Sequence, residues 1–482
     1  MITFIVAIVA LVLGYVIYGK FIDKFFGADS NRPTPAVEHP DGIDYKVLSP
    51  WRIFIIQFLN IAGLGPIFGA ILGAAYGPVA YLWIVLGCIF MGAAHDYMSG
   101  MLSIRNNGKS LPDIVGQYLG KNIKKVMIFF TAILLMAVGA SFVNGPAGLL
   151  ANLTNTNISI WLYVVFAYYI LATLLPIDKI IGKIYPYMGA ALLFMAVGIA
   201  VMLLVKGFSG EVQLVELTAD TFRNYRNNAS EYMIIPTLFI VISCGAISGF
   251  HATQSPMMAR CISNEKYGRP IFYGAMIAEG IVACIWATAA MAFFNGPEGL
   301  NLANADGATP AIIVDRICNS WLGRFGAVIA IIGVVVCPIT SGDTAFRSLR
   351  LIFADALNYD QRPIKNRLII CVPIFVVAYI LCNVSFSTLW NYVGIGNQVL
   401  ATITLWTCAV YFASVGKSHW LVSLPATFLT YICTCFFLIA PIKDGGLNLT
   451  PVTGYIAGGI AAAVVLAVFL YSASKMSFRK NF

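Results

Sequence analysis

Three carboxylates stand inside long apolar stretches of the sequence: Asp96, Glu279 and Asp343. The rest of the 21 acidic residues lie in polar segments or at the ends of apolar stretches. A carboxylate in the hydrocarbon core of a membrane costs about 3 kcal/mol on insertion scales, so such residues usually mark ion or proton pathways. Each of the three is therefore a candidate for binding a co-transported proton or cation. The alternative is a structural ion pair or a protonated acid bonded to the backbone.

Hydroxyl side chains surround Asp343. Thr340, Ser341 and Thr344 supply hard oxygen atoms of the kind that bind sodium. Asp96 and Glu279 have the chemistry to carry a proton instead, if burial raises their affinity for it. Arg347, one helical turn beyond Asp343, offers that carboxylate a structural ion pair. The residues by themselves leave both ions open.

The segment Asn60–Gly77, NIAGLGPIFGAILGAAYG, interrupts an apolar run with several glycines and Pro66. Glycine weakens a helix and proline removes a backbone donor. Irregular backbone at membrane depth occurs where it is packed in protein or lines a cavity, and transporters hold substrates and ions at such breaks. The pattern therefore predicts a discontinuous helix. The alternative is a ridge of glycines for close helix packing.

A second apolar run is interrupted at Ser243–His251, SCGAISGFH. Because half-helix N-termini favour anions, we expect the two breaks to hold a substrate carboxylate by their backbone N–H groups. His251 is a candidate ligand or proton relay, and a packing role is the alternative. For Gln398 the alternative is an amide that bridges two helices. The predicted substrate-binding residues are Asn60, Gly63, Gly65, Gly245, Ser248, Gly249, His251 and Gln398.

Composition identifies the chain as an all-α, polytopic membrane protein. Of its 482 residues 59% are hydrophobic and 11% are charged, with a mean hydropathy of +0.83, whereas about a quarter of residues are charged in soluble proteins. We count thirteen runs long enough to cross a bilayer. They are Met1–Tyr18, Phe54–Ala75, Pro78–Ser103, Val126–Leu150, Ile160–Leu175, Tyr187–Val205, Met233–Thr253, Ile271–Phe294, Phe325–Ala345, Leu368–Asn383, Leu389–Ala413, Leu421–Ala440 and Val452–Tyr471.

The two interrupted runs are the second and the seventh. Spans five apart cross the membrane in opposite directions, so this spacing predicts an inverted repeat with its binding site between the halves. The halves would be residues 54–205 and 233–413, with residues 1–18 and 421–471 as peripheral helices. The whole chain, 1–482, is then a single membrane transport domain.

The distribution of lysine and arginine predicts the orientation. Most of the 30 basic residues fall in cytoplasmic loops when the N-terminus is outside and the C-terminus is cytoplasmic. The net charge of +9 then reflects this bias and requires no nucleic-acid partner. The longest outside loops, residues 206–232 and 295–324, are expected to form short surface helices. The eleven scattered cysteines fit small buried residues better than disulfides or a zinc site.

Six segments resemble the carbon starvation protein A (CstA) family. They are Asn60–Gly77, GAAHDYMSGMLSIRNNGKSL at Gly92–Leu111, ISCGAISGFHA at Ile242–Ala252, GAMIAEG at Gly274–Gly280, TSGDTAFR at Thr340–Arg347 and GIGNQVLATI at Gly394–Ile403. The resemblance implies uptake of pyruvate or peptides across the bacterial inner membrane during carbon starvation. It also implies the five-plus-five inverted repeat of LeuT- and APC-type transporters.

These observations together predict a secondary active transporter of a small anionic or zwitterionic substrate. The family resemblance favours proton coupling, and sodium at Thr340, Ser341 and Thr344 is the alternative. A sodium symporter of another carboxylate or amino acid, or an intramembrane enzyme that uses Ser248 and His251, are further alternatives. No hydrolase, zinc-protease or Walker motif is present, so we expect no catalytic residue and no cofactor beyond the co-transported ion. The oligomeric state stays open.

Overall fold

The computed structural model describes residues 1–42, 44–174, 177–384 and 386–478. These residues form helices and connecting loops, and none of those described lies in a β-strand. The end of the fifth predicted run, Leu175, lies outside them. The all-α fold class expected from composition is confirmed.

The α-helices are numbered α1 to α20 along the chain. They are Ile2–Leu13, Gly19–Phe26, Pro35–Glu38, Pro50–Ile61, Ala70–Ala74, Val79–Leu82, Ala93–Arg105, Leu111–Leu119, Lys121–Thr154, Ile158–Leu174, Ile177–Ser209, Phe239–Val241, Gly249–Ala259, Gly274–Phe293, Pro297–Ala305, Pro310–Leu357, Ile364–Leu381, Phe386–Ser414, Trp420–Ile439 and Pro451–Phe478. Five π-helical segments join several of them: Gly14–Tyr18, Gly65–Gly69, Trp83–Gly92, Ile234–Leu238 and Arg269–Tyr273. Two short 3₁₀ turns are Glu265–Tyr267 and Ile442–Asp444.

Ten helices of the described chain are long and apolar enough to cross a membrane. An eleventh span is formed by the pair Pro50–Ile61 and Gly65–Ala74, which is bent by 53° at its break. The remaining two predicted runs correspond to a shorter apolar helix, Ile158–Thr173, and to a second broken element between Ile234 and Ala259. The chain is therefore a multi-pass membrane protein with discontinuous helices.

Both interruptions predicted from the sequence are real breaks in the backbone. Helix α4 ends because Ala62 adopts φ −76° and ψ +55°, outside the helical region. In the second element, Ile242 leaves the helix at φ −97° and ψ +66°, and Gly245 has φ +90°. Such a positive φ is readily adopted by glycine, which has no Cβ to clash. Helix α13 then begins at Gly249, after an extended Ser248. We call these elements the first and second broken spans.

The two broken spans lie directly against each other. A Cβ added at Gly65 in the first span would lie 2.0 Å from the Cβ of Cys244 in the second. At Gly249 an added Cβ would approach the backbone nitrogen of Ala401 in α18 to 2.4 Å. The same glycines that interrupt the helices thus also allow close packing, so the packing alternative describes a second role of these residues.

The spans differ in how much of their surface other helices cover. In an apolar 18-residue stretch of each span, 83% is buried for Val79–Arg105, Glu265–Phe293 and Thr388–Ser414, whereas 28% is buried for Ile2–Phe26 and 17% for Pro451–Met476. The first and last spans therefore lie at the periphery, where their apolar side chains face lipid.

The predicted surface helices are correct for one outside loop and wrong for the other. Residues 295–324 contain α15 and the start of α16, a helix that is kinked at Gly323, where φ is +64°. Residues 210–233 form turns and extended backbone without a helix. A side chain from the other loop holds residues 210–233 in place: Asn301 in α15 donates hydrogen bonds to the carbonyl oxygen of Tyr225 in this loop and to that of Ala75 at the end of the first broken span.

Gly92 tests the close packing around the second broken span. An added Cβ would lie 2.1 Å from the carbonyl oxygen of Ala246, so Gly92→Ala forces the backbones apart. We expect a loss of about 1–3 kcal/mol in stability, the usual cost of overpacking. Thermal unfolding of purified protein measures it. Gly459→Ala is the matched control, because nothing lies within 4 Å of that position; equal melting temperatures for the two variants would contradict the packing.

Candidate functional site

A carboxylate held by two histidines lies beside the second broken span. Asp96 Oδ1 accepts a hydrogen bond from Nδ1 of His95 at 2.8 Å, and Oδ2 accepts one from Nδ1 of His251 at 2.9 Å. All three side chains are fully buried. Asp96 sits in α7, and Gly92 just before it allows that helix to approach the second broken span closely enough for the contact with His251.

A second carboxylate faces the opposite side of the same imidazole. Glu279 Oε2 in α14 lies 3.4 Å from Nε2 of His251. The thiol of Cys244 completes the group, since one ligand atom each of Cys244, His251 and Glu279 lie within 4.8 Å of one another. His251 therefore stands between two acids that the sequence identified separately. We call Asp96, His251 and Glu279 the central cluster.

Two buried amides near the breaks lack hydrogen-bond partners in the described chain, and a third has an unpaired oxygen. Both polar atoms of Asn60 and of Gln57 in α4 are unpaired among the described residues, as is Oδ1 of Asn397 in α18. Burying an unpaired amide costs about 1–3 kcal/mol. Polar groups that are left open beside two breaks in the backbone are available to a bound molecule. Asn60, predicted from the sequence, lies in this region; Gln57 and Asn397 were not predicted.

The first broken span has its own set of oxygens. The carbonyl oxygen of Leu59 accepts hydrogen bonds from the hydroxyls of Thr340 at 3.0 Å and Ser341 at 2.9 Å. A Cβ at Gly63 would lie 3.1 Å from Oγ of Ser341. Two of the predicted hydroxyls thus contact the end of α4, where carbonyl oxygens no longer accept the hydrogen bonds of a regular helix. A small cation can be bound by carbonyl and hydroxyl oxygens at such a break.

The other predicted ion-site residues point elsewhere. The hydroxyl of Thr344 donates to carbonyl oxygens of its own helix, at Thr340 and Ser341. Asp343 accepts a hydrogen bond from the hydroxyl of Tyr185 at 3.2 Å and lies 3.9 Å from the Arg347 guanidinium. The structure therefore does not bring Asp343 to the central cluster, and its surroundings match the structural ion pair.

Gln398 and Ser248 also have identified contacts. The Gln398 amide donates to the carbonyl oxygen of Phe239 at 2.8 Å, which joins α18 to the helix just before the second break, as the bridging alternative requires. Ser248 contacts the Cys244 thiol at 3.4 Å. Cys244 was missed because a lone cysteine in an apolar run is normally a packing residue. His95 is fully buried on Asp96.

Ion pairs join segments that are distant in sequence at the face predicted to be cytoplasmic. Arg105 contacts Glu265 at 3.1 Å, and Arg260 contacts Asp355 at 3.3 Å. A third pair joins Arg350 to Asp44 at 3.5 Å. The arginine side chains are between 1% and 14% exposed. The opposite face contains a cavity of about 150 Å³ that reaches Ile240 and Val241, immediately before the second break.

Replacing Asp96 tests the two-histidine arrangement. Asp96→Ala leaves two buried imidazoles without their acceptor, and removing one partner of a buried charged pair typically costs about 3–5 kcal/mol. We expect a clear drop in the melting temperature of the purified protein. Asp306→Ala is the control, since Asp306 is exposed after α15. A variant of Asp96 that unfolds at the same temperature as this control would show that the three side chains do not form one unit.

Comparison with known proteins places this geometry in context. The chain is 44% identical to an uncharacterized membrane protein of Haemophilus influenzae, over 64% of this chain and 95% of that one. It is 23% identical to the peptide transporter CstA of Campylobacter jejuni, over 99% and 84%. It is 26% identical to the pyruvate/proton symporter BtsT of Escherichia coli, over 69% and 57%.

The crystal structure of MhsT in complex with L-phenylalanine superposes with a TM-score of 0.55 at 13% identity, covering 88% of this chain and 99% of that one. At this level of identity the similarity concerns the fold alone. In the present chain that fold has the two broken spans at its centre. The family model for the carbon starvation protein CstA matches residues 1–160, 145–298 and 305–436. These matches extend over most of the chain and include both broken spans and the central cluster, and the chain belongs to the carbon starvation protein CstA family.

Proposed function

We propose that the chain is a secondary active transporter that couples proton entry to uptake of a small carboxylate, either pyruvate or a short peptide. The observation that carries the proposal is His251 between two buried carboxylates at the start of the second broken span. Relatives named as a peptide transporter and as a pyruvate/proton symporter support the class of substrate and ion. In this proposal the chain has no catalytic role.

Glu279 accepts the proton in this proposal. Its carboxylate faces Nε2 of His251 at 3.4 Å, whereas Asp96 holds the other ring nitrogen. A proton on Glu279 removes one of the two negative charges that face the imidazole and weakens the electrostatic attachment of α14 to α13. Because α13 begins at the second break, the protonation state of Glu279 affects the place where substrate is held, and binding of one then favours binding of the other.

The substrate carboxylate lies at the breaks in this proposal. Backbone N–H groups at the start of α13 carry the partial positive charge of a helix N-terminus. The unpaired amide N–H groups of Asn60 and Gln57 donate further hydrogen bonds to the carboxylate, and the glycines Gly63, Gly65 and Gly245 let the substrate approach the backbone closely. Burying these N–H donors without a partner is costly. A bound carboxylate would accept hydrogen bonds from them and remove that cost.

Sodium coupling is the second candidate, carried by a different observation. Thr340 and Ser341 both meet the Leu59 carbonyl oxygen at the first break. A sodium ion there would replace the two hydrogen bonds by direct oxygen contacts. Proton coupling is preferred because the central cluster contains three titratable groups in contact, whereas Asp343, the acid nearest these hydroxyls in sequence, pairs with Arg347.

The orientation belongs to the same proposal. The N-terminus is outside and the C-terminus cytoplasmic in a bacterial inner membrane, so that the ion-paired face is cytoplasmic and the cavity at Ile240 and Val241 opens outward. Substrate then enters from the cavity side, next to the second break.

Reconstituted transport distinguishes the two ions. In proteoliposomes with an imposed inward pH gradient and no sodium, we expect labelled pyruvate or alanylalanine to accumulate. A sodium gradient at equal pH on both sides should give no accumulation. Empty liposomes are the control. Accumulation driven by the sodium gradient alone would overturn proton coupling and favour the Thr340–Ser341 site.

The identity of the proton acceptor follows from two matched acid-to-amide variants. Glu279→Gln cannot take up a proton at position 279, so gradient-driven accumulation should fall at least tenfold while counterflow exchange of preloaded substrate continues. Asp343→Asn changes an equally buried acid outside the central cluster, and accumulation should be retained. The reverse pattern would move the coupling site to Asp343.

A further inference from the structure

The outward-facing cavity has a chemical character of its own. Its walls are mostly apolar or aromatic, from residues such as Tyr76, Tyr232 and Trp390. Two charged side chains line it, Arg226 and Asp444, which are of opposite sign. The cavity of about 150 Å³ has space for a small organic molecule rather than for a single water. We call it the outer cavity.

Arg226 is held by rings and not by a carboxylate. Its guanidinium carbon lies 4.8 Å from the ring centre of Tyr232 and 5.4 Å from that of Tyr76. Among the described residues no acid forms an ion pair with it, although the neighbouring Arg223 pairs with Glu298. Aromatic packing fixes the flat faces of a guanidinium and leaves the N–H edge free, and that edge matches a carboxylate in two-point hydrogen bonding.

Asp444 is the complementary group. It is 9% exposed, and its two oxygens accept hydrogen bonds from the Asn391 amide at 2.7 Å and the Tyr232 hydroxyl at 3.1 Å. No lysine or arginine of the described chain forms an ion pair with it; the adjacent Lys443 contacts Glu231 instead. A largely buried carboxylate that is held by neutral donors keeps its negative charge uncompensated, and an ammonium group compensates such a charge well.

Tyr232 joins the two charges, since its ring contacts Arg226 and its hydroxyl contacts Asp444. We propose that the outer cavity is a second binding site, for zwitterions that carry one carboxylate and one primary ammonium, such as short peptides or α-amino acids. The carboxylate binds Arg226 and the ammonium binds Asp444. This inference rests on the proposed transport function and adds a substrate class to it, because pyruvate has no ammonium for Asp444.

The location of the outer cavity connects it to the central site. Ile240, Val241 and Gly394 form part of its wall, and the second break begins one residue later, at Ile242. The Gln398 amide, which donates to the Phe239 carbonyl, holds this wall against α18. A molecule bound between Arg226 and Asp444 therefore lies next to the second break, where the proposed transport site begins.

The test compares ligands that differ by one charge. Binding of alanylalanine, N-acetylalanine and pyruvate to purified protein in nanodiscs is measured by calorimetry. Alanylalanine should bind the wild type at least tenfold more tightly than N-acetylalanine, which lacks the ammonium. Asp444→Asn should remove that preference and leave pyruvate binding unchanged, and Arg226→Gln should weaken alanylalanine at least tenfold. Equal affinities of wild type and Asp444→Asn for alanylalanine would overturn the proposal.

Matched controls separate this result from loss of fold and from failure of the transport proposal. Arg223→Gln and Glu298→Gln change neighbouring surface charges that pair with each other, and both should bind like the wild type. Trp390 lines the cavity, so alanylalanine should change the tryptophan fluorescence of the wild type but not of Trp390→Phe; no change in the wild type would also contradict the site. Proton-driven pyruvate uptake by the wild type tests the transport function separately, whichever way the binding result falls.

Discussion

Contact between the two broken spans is the constraint on which the rest of the structure depends. Backbone groups that leave a helix at membrane depth have no water to satisfy them, so protein must surround them. Here each break covers the other: Gly65 approaches Cys244 so closely that a side chain larger than hydrogen would separate the spans. Helices α7, α14 and α18 then pack around this contact, and they bring Asp96, Glu279 and Asn397 to it.

The central cluster follows from the same packing. Three ionisable side chains that are fully buried would each be costly alone. Together they compensate one another, because the His251 imidazole donates to Asp96 on one side and faces Glu279 on the other. In the proposed mechanism, a change of charge at the first turn of α13 lies next to the break that receives the substrate. Ion and substrate would then influence one another over a few ångströms, without any long-range relay.

The charged side chains at the two faces of the molecule are paired to different extents. On the predicted cytoplasmic face, arginine–carboxylate pairs such as Arg105–Glu265 join segments that are distant in sequence. On the opposite face, Arg226 and Asp444 lie in one cavity without forming such a pair. Opposite charges that stay apart in a low-dielectric cavity are available to a ligand that carries both signs.

The sequence by itself determined the membrane class, the two helix breaks and most of the chemistry at the centre. Hydropathy and glycine spacing are properties of a short segment. Gly63, Gly65, Gly245 and Gly249 could therefore be identified as helix breaks from the residues next to them. Intramembrane acids were likewise visible, because a carboxylate in an apolar run is costly wherever the run folds. Family resemblance on six segments then agreed with the family model that matches the chain.

Only the tertiary structure decided which of these residues act together. Asp96 and His251 are 155 positions apart, and helical periodicity contains no information about which faces of two distant helices meet. The same limit applies to Asp343, which stands two residues from Ser341 but contacts Tyr185 and Arg347 instead of the first break. It applies most strongly to Arg226 and Asp444, which look like ordinary loop charges until Tyr232 brings them to one cavity. Local pattern identifies the candidates, and long-range packing selects among them.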